Sequence, residues 1–290
     1  MVKSKSSRIG DYIVAFICVL LIVACLLPML NLLARSLSSP DAIIRNEVLL
    51  WPKGLNLEAY RFVLSDSKYR WSLIWTAILT VIATTVSMIM TILCAYPLTY
   101  DKLKGRRLIN TFIILTMYFN AGTIPMYLLL KDLHMLNKPI VLIIPNCLSV
   151  FNMIIMRSYF YTIPESLRES AEIDGAGPIR VLTSIYLPLS KPVLATLTLF
   201  YAVGRWNGFS DALMYMNNNR KYYPIQLLLY NIIKSITSIE ITTQEGFTNP
   251  GLTETVQAAT VMIATVPILL VYPWLQKYFI SGATLGAIKD

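Results

Sequence analysis

The sequence is poor in the side chains from which metal and redox sites are built. It contains a single histidine, His134, and four cysteines that share no C-x-x-C spacing. Each cysteine lies inside an apolar stretch, where a free thiol usually behaves as a small buried hydrophobe. We therefore expect no metal site and no cofactor bound by this chain. His134 follows Lys131 and Asp132 and is expected in a short exposed loop.

Signals of several other protein classes are also missing. No G-x-x-x-x-G-K-[ST] string is present, so any nucleotide chemistry has to come from a partner. No basic stripe with interleaved aromatics accompanies the formal charge of +9, which argues against nucleic-acid binding. A membrane enzyme would need a cluster of catalytic groups, which one histidine makes hard to build. An ion-coupled carrier, a less favoured alternative, would need an intramembrane carboxylate pair or an inverted repeat, and neither is evident.

Long apolar runs dominate the chain, in which 56% of the residues are hydrophobic and 14% are charged. A helix that crosses a hydrocarbon core of about 30 Å needs about 20 apolar residues. Six stretches meet this need, at 12–34, 72–96, 108–130, 139–156, 192–216 and 256–279. A signal peptide is the competing interpretation of the first stretch, and its length and its lack of a small-residue cleavage site argue against that interpretation. The sequence thus predicts an all-α membrane protein with six transmembrane helices in one domain, residues 1–290.

Charges that flank these stretches predict the orientation. Lys3, Lys5 and Arg8 precede the first stretch, and four basic residues crowd the short loop after the second. Basic residues of short loops favour the cytoplasmic side of a membrane. Both termini, the loop 157–191 and the tail 280–290 are therefore expected in the cytoplasm, next to a bacterial plasma membrane. The tail is rich in small residues and is expected to be flexible.

Two longer segments are then expected on the outer side. The segment 35–71 is predicted to include a short surface helix near Leu57–Leu64. The segment 217–255 is a long polar excursion, and loops of such length are usually functional or disordered.

The most specific pattern lies between the fourth and fifth stretches. A charged run that includes Arg168 and Arg180 indicates a water-exposed segment. A short helix, a corner at Gly175 and a second helix ended by Pro188 would form a helical protrusion over Glu169–Pro188. Its defining residues are Glu169, Ser170, Ala171, Asp174, Gly175, Ile185, Leu187 and Pro188.

This spacing resembles the EAA signature of the inner-membrane permease subunits of binding-protein-dependent ABC importers, with Ser170 where the family usually has alanine. The resemblance covers nearly the whole chain. Within the family, the chain resembles the carbohydrate-uptake branch of the maltose permease G subunit (LplC/YtcP type). Other matching segments are 149–157, 191–195, 201–213, 224–227 and 272–279. The resemblance implies the type I importer permease fold, with the helical protrusion as a cytoplasmic coupling helix for an ATPase subunit. Glu169 and Asp174 would cap or salt-bridge that helix, and Ala171 and Gly175 would permit close approach.

The resemblance also implies partners. A second permease subunit would form a heterodimer with this chain, and two ATPase subunits would bind ATP and Mg. An extracytoplasmic solute-binding protein would contact the segment 217–255 and deliver an oligosaccharide, including uronate-containing fragments. Three tail residues would contact the ATPase subunits, namely Gly282, Gly286 and Lys289. A non-sugar solute carried by the same machinery is the alternative cargo.

Polar and aromatic groups inside the apolar stretches indicate a path for the solute. Amides and ionisable groups in a membrane either line a hydrated path or find partners on neighbouring helices. Aromatic rings and amides together suit polyhydroxylated solutes. The predicted lining residues are Tyr118, Asn120, Asn146, Asn152, Tyr201, Arg205, Trp206, Asn207 and Asp211. Two alternatives stay open: the amides only join helices, and Arg205 and Asp211 only pair with each other outside the lipid core.

Overall fold

The computed structural model describes residues 5–101, 103–119, 121–239 and 250–287, and no β-strand occurs in these ranges. Its α-helices are α1 (Lys5–Ser36), α2 (Pro40–Ile44), α3 (Glu58–Ser65), α4 (Ser67–Ala95), α5 (Arg106–Tyr118), α6 (Thr123–Asp132), α7 (Val150–Phe160), α8 (Glu165–Ile173), α9 (Pro178–Val181), α10 (Leu187–Leu189), α11 (Lys191–Asn207), α12 (Ser210–Tyr215), α13 (Ile225–Ile239) and α14 (Pro250–Ala287). Shorter turns are the 3-10 helices Pro97–Thr99, Pro139–Leu142 and Arg220–Tyr222 and the π-helix Leu182–Tyr186. The chain divides into two compact units, Met1–Arg70 with Leu229–Val266 and Trp71–Leu228 with Pro267–Asp290.

The first unit joins the end of α1, the helix α3 and the start of α14. Arg35 forms an ion pair with Glu254, and the hydroxyls of Ser36 and Tyr60 lie 2.8 Å apart. A small apolar cluster of α3 and α14 residues lies beside these contacts. A β-carbon on Gly251 would lie 2.3 Å from a backbone oxygen of α2, so glycine is required where α14 passes that helix. The predicted surface helix near Leu57–Leu64 is confirmed as α3.

The second unit has its core around α7, which packs against α5 and α11. Met153, Met156 and Phe160 on α7 are fully buried, as is Leu197 on α11. Four side chains on the first turns of α4 also form hydrogen bonds with the backbone of the 3-10 turn Arg220–Tyr222 and of the residues directly after it. For example, the indole N–H groups of Trp71 and Trp75 donate to the carbonyls of Lys221 and Tyr222 at 2.7 and 2.8 Å. The part of the predicted outer segment 217–255 around this turn is therefore fixed to α4. Helix α13 begins at Ile225, within the same predicted segment.

Within the described residues, three helical segments are long and apolar enough to cross a membrane: Gly10–Ser36, Ser67–Thr99 and Gly251–Leu270. Two bent pairs would raise this number to five if each pair is one span. Arg106–Tyr118 meets Thr123–Asp132 at 114°, and Pro178–Leu189 meets Lys191–Asn207 at 85°. The count of six spans stays a prediction.

Several predicted stretches are interrupted in the structure. The fourth, 139–156, begins with the turn Pro139–Leu142 and reaches α7 only after an irregular segment, because prolines at 139 and 145 cannot donate backbone hydrogen bonds there. The third breaks before Gly122, whose φ of +90° is left-handed. The fifth ends its helix at Asn207, and α12 follows after a short break.

The end of the chain and the histidine loop give two further comparisons. Helix α14 continues through residues 280–287, where the sequence suggested a flexible tail, because small residues without proline can extend a helix. The prediction for His134 is confirmed: it is exposed, in a turn with φ of +55°.

Candidate functional site

A cavity of about 740 Å³ lies in the second unit, between α4, α11, α12 and the irregular segment before α7. Five of the predicted path residues line it: Asn146, Asn152, Tyr201, Arg205 and Asp211. The structure thus brings predicted side chains from two separate stretches, 139–156 and 192–216, to one space. We call this space the cavity.

Other predicted lining residues lie elsewhere. Tyr118, at the end of α5, is 75% exposed and does not line the cavity. Trp206 is buried beside the cavity, and Asn207 is exposed at the end of α11, so neither side chain belongs to the lining. Residues one and two places after Arg205 point away because successive helix positions are rotated by about 100°. Asn120 lies outside the described residues.

Arg205 and Asp211 form a buried ion pair on the cavity wall. Their side chains are 9% and 12% exposed. The guanidinium also donates at 3.0 Å to the carbonyls of Leu142 and Gly208, so it ties the turn Pro139–Leu142 to the end of α11. Asp211 in turn accepts from the backbone N–H of Ala212 at 2.9 Å. The two interpretations of this pair are therefore compatible: the residues pair with each other and also line the cavity.

The break after α11 depends on glycine at position 208. A β-carbon there would lie 3.1 Å from the carbonyl of Gly204 and 3.2 Å from the guanidinium of Arg205. Both contacts are tighter than van der Waals packing allows without movement. The small residue therefore lets the chain turn while Arg205 folds back across the break.

Tyr201 connects three elements through its hydroxyl. This oxygen lies 2.7 Å from the hydroxyl of Thr91 on α4 and accepts the backbone N–H of Ser149 at 3.1 Å. Ser149 is the N-cap of α7, where its side chain accepts from the backbone N–H of Asn152. Tyr201 lines the cavity. Because its hydroxyl is engaged by Thr91 and Ser149, the ring is the part that remains available to the cavity.

Sequence reasoning missed the polar face of α4 that meets this tyrosine. Hydroxyl side chains recur along α4 at the three- and four-residue spacing of one helical face. They are Thr76, Thr80, Thr84, Ser87 and Thr91. Ser87 lines the cavity, and the hydroxyls of Thr80 and Thr84 are buried without a hydrogen-bond partner among the described residues. The spacing was the available signal for this face.

The helical protrusion has the predicted order of helix, glycine corner and helix. Helix α8 ends before a corner at Asp174–Gly177, and a second helical run extends over Pro178–Leu189, one residue beyond Pro188. Gly175 has a φ of +82°, and a β-carbon there would meet no atom within 4 Å. Within this chain, glycine is needed at 175 for its backbone conformation and not for close packing. The expected close approach of an ATPase subunit at Gly175 stays a prediction.

The signature residues divide into an exposed and a packed set. Glu169, Ser170, Asp174 and Pro188 are exposed. Ala171, Ile185 and Leu187 are half-buried against the core of the second unit. Two large residues that the sequence did not single out flank the corner, since Ile173 is 86% exposed and Ile179 is 79% exposed.

Arg168 departs from the prediction that the charged run lies in water. It is buried, and its ion-pair partners are Glu165 and Glu172 on the same helix. These pairs, and not the expected bridges of Glu169 and Asp174, are the ion pairs found on α8 within the described residues. Burial opposes the charged form, but Glu165, Tyr186 and Glu172 outweigh it, so the pKa of Arg168 is raised above its ordinary value.

The tail residues predicted to meet an ATPase fall at the edge of the described chain. The backbone of Gly282 and Gly286 belongs to α14. Lys289 lies outside the described residues.

Comparison with known proteins assigns the chain to a family. The family described as "Binding-protein-dependent transport system inner membrane component" matches residues 70–284. The chain is 37% identical over 284 residues to the polygalacturonan/rhamnogalacturonan transport system permease protein YtcP of Bacillus subtilis (strain 168), covering 98% of this chain and 99% of the relative. It is also 37% identical over 266 residues to the protein LplC of the same organism, covering 91% of this chain and 89% of that relative.

A solved structure is similar over almost the same length. It is a crystal structure of a bacterial ABC transporter involved in the import of the acidic polysaccharide alginate. One of its chains superposes with a TM-score of 0.88 at 34% identity, covering 96% of this chain and 99% of that chain.

Proposed function

Since the chain belongs to the family of inner membrane components of binding-protein-dependent transport systems, we propose that it is a translocation subunit of an ATP-driven importer of oligosaccharides. ATP hydrolysis is assigned to separate subunits that bind ATP and Mg, because this sequence lacks the phosphate-binding loop. The observation that carries the proposed cargo is the cavity, whose lining combines a tyrosine, two amides and a neutralised ion pair.

The lining of the cavity suits a sugar chain. Its volume of about 740 Å³ lies within the usual range of small-molecule pockets, roughly 300–1,000 Å³. The amide of Asn146 can exchange hydrogen bonds with hydroxyls, while the ring of Tyr201 offers an apolar face. Because Asp211 already neutralises Arg205, a carboxylate on the cargo would meet amide and hydroxyl donors rather than a free cation.

Relatives refine the proposed cargo. One is named for polygalacturonan and rhamnogalacturonan, and one solved neighbour imports the acidic polysaccharide alginate. We therefore propose uronate-containing fragments as the favoured subclass. The cavity itself does not require an acidic cargo.

The proposed partners follow from the same family. A second permease subunit would form a heterodimer with this chain, and an extracytoplasmic binding protein would deliver the cargo. Two ATPase subunits would engage the helical protrusion, with both termini on the same cytoplasmic side. Ile173 and Ile179 support this assignment, because two large apolar side chains exposed on either side of the corner are typical of a surface that a partner covers.

The proposed mechanism is rigid-body switching. Closure of the ATPase dimer would displace the helical protrusion, which continues directly into α11 and hence into the cavity wall. The cavity would then change from inward-facing to outward-facing and receive cargo from the binding protein.

The experiment that tests this function measures ATP hydrolysis and uptake together. The chain is co-expressed with its neighbouring permease and ATPase genes, and the purified complex is placed in liposomes. Binding protein loaded with uronate-containing or neutral oligosaccharides is then added. We expect one saccharide class to stimulate both hydrolysis and accumulation. Stimulation by a peptide or amino acid, and by none of the saccharides, would overturn the proposed cargo.

A further inference from the structure

Arg168 connects α8 to a cluster of four aromatic residues. The aromatic cluster consists of Tyr96, Tyr100, Phe160 and Tyr186. Tyr96 directly follows α4, Tyr100 follows the 3-10 turn Pro97–Thr99, Phe160 ends α7, and Tyr186 ends the π-helix. The chain after α4, the end of α7 and the π-helix thus meet beside Arg168.

The cluster is held by specific contacts and not only by burial. The rings of Tyr96 and Tyr186 are 5.1 Å apart at 72°, and those of Phe160 and Tyr186 are 5.4 Å apart at 89°. Such edge-to-face pairs contribute beyond their buried area. The hydroxyl of Tyr96 lies 2.5 Å from that of Tyr100 and donates to the carbonyl of Pro178 at 3.1 Å. The cluster therefore also fixes the start of the second helix of the helical protrusion.

The guanidinium of Arg168 lies over the ring of Tyr100, 4.6 Å from its centroid. This distance is within the range of a cation–π interaction, which strengthens when water is excluded. The arginine side chain is 10% exposed. Its charge is balanced by Glu165, which forms an ion pair with it, and by Glu172, whose carboxylate lies 3.6 Å from Nε.

The neighbours of Arg168 on α8 make weaker attachments. Leu167 is 43% exposed, and Glu169 and Ser170 face outward. Ala171 packs against the core but offers only a methyl group. Arg168 is therefore the long buried side chain through which α8 contacts the rest of the second unit. A flat guanidinium can lie on a ring face, whereas the ammonium of lysine cannot match that geometry.

We propose that Arg168 is a positioning residue that transmits displacement of α8 to the aromatic cluster and so to the ends of α4 and α7. This inference rests on the proposed function, because it assumes that an ATPase subunit moves α8. Without the guanidinium, α8 would still bind the ATPase subunit through its exposed face. Its movement would then no longer be passed on in full, and ATP hydrolysis would become separated from transport.

The test compares two pairs of variants in the liposome-reconstituted complex. Arg168→Met removes the charged plane, and Tyr100→Leu removes the ring face beneath it. The matched controls are Arg180→Met, which changes an exposed arginine of the helical protrusion, and Tyr100→Phe, which keeps the ring. For each variant the ratio of saccharide molecules accumulated to ATP molecules hydrolysed is measured, together with the amount of ATPase subunit that co-purifies.

We expect at least a fivefold fall of this ratio in Arg168→Met and Tyr100→Leu, with normal co-purification of the ATPase subunit. The ratio should stay within twofold of the unmodified complex in both controls, and Arg168→Lys should recover only part of the loss. If Arg168→Met does not assemble, Tyr100→Leu and Arg168→Lys decide the matter. An unchanged ratio in these variants would overturn the proposal.

A parallel fall of hydrolysis and uptake would also overturn it, since a purely structural anchor would lower the amount of working complex without altering the ratio. An unmodified complex that hydrolyses ATP and accumulates no saccharide would instead reject the proposed function, and the inference would fall with it.

Discussion

At the scale of single residues, Asp211 matters because it neutralises a buried arginine. Asp211→Asn would leave Arg205 as an uncompensated charge on the cavity wall. Removing one partner of a buried pair costs about 3–5 kcal/mol, whereas replacing both partners by apolar groups can be nearly neutral. We expect the single variant to lower the unfolding temperature of the solubilised complex and Arg205→Met with Asp211→Leu to restore most of it. Equal unfolding temperatures for the single variant and the unmodified complex would contradict this account.

Tyr201 gives a second prediction at the residue scale, because its hydroxyl and its ring serve different ends. Tyr201→Phe would leave the backbone N–H of Ser149 and the hydroxyl of Thr91 without this partner, at a cost of about 1–3 kcal/mol. The ring would remain in the cavity. We expect lower thermal stability and an unchanged preference among saccharides in uptake assays. Tyr118→Phe is the control, since that side chain is 75% exposed. A changed cargo preference at normal stability would argue against a framework role.

At the scale of elements, the glycine corner separates the effect of backbone conformation from the effect of space. Gly175 and Gly177 both have room for a β-carbon, but only Gly175 has a left-handed φ, of +82°. A left-handed conformation costs a residue with a β-carbon roughly 1–2 kcal/mol. Gly175→Ala should therefore reduce uptake-linked ATP hydrolysis, and Gly177→Ala should not. Gly175→Asn should be milder than Gly175→Ala, because asparagine adopts this conformation more readily.

The outcome that would count against this prediction is equal hydrolysis by the two alanine variants. Normal uptake by a variant with a bulky residue at 175, such as Gly175→Val, would remove the coupling assignment of the helical protrusion as a whole.

The same corner shows how far sequence could lead. Helix, glycine and helix were predictable because propensity and backbone freedom act locally. The burial of Arg168 was not predictable, because its partner ring at Tyr100 is 68 positions away and is brought close only by the tertiary fold. The interruption of the fourth stretch had a local signal in its prolines. The high apolar content of residues 139–156 nevertheless led to the prediction of one continuous helix, although proline disfavours a helix interior.

At the scale of the whole molecule, the orientation of the chain in the membrane is open to direct measurement. In a background without the four cysteines, Arg180→Cys would report on the helical protrusion and Asn217→Cys on the opposite predicted side. We expect a membrane-impermeant maleimide added to intact cells to label position 217 only. Position 180 should react after permeabilisation, because it lies in the loop that the flanking charges place in the cytoplasm. Labelling of both positions in intact cells would refute the predicted topology.

The cavity is another feature that emerges only at this scale. Asn146 and Asn152 are close to each other in sequence, but Arg205 and Tyr201 join them from a different helix. Each residue alone was compatible with helix-to-helix hydrogen bonding. Their shared volume became visible only when α7 and α11 were placed side by side, since periodicity gives the face of a helix but not the neighbour it meets.

The corner at Ser190 has a mechanical consequence. The second helix of the helical protrusion meets α11 there at 85°. From this point to Arg205, α11 is a stiff arm of about 22 Å, given a rise of about 1.5 Å per residue. A rotation of about 5° at the corner would therefore swing the far end of the arm by about 2 Å. A tilt too small to disturb the packing near Ser190 therefore becomes, near Arg205, a displacement large enough to break or form a hydrogen bond.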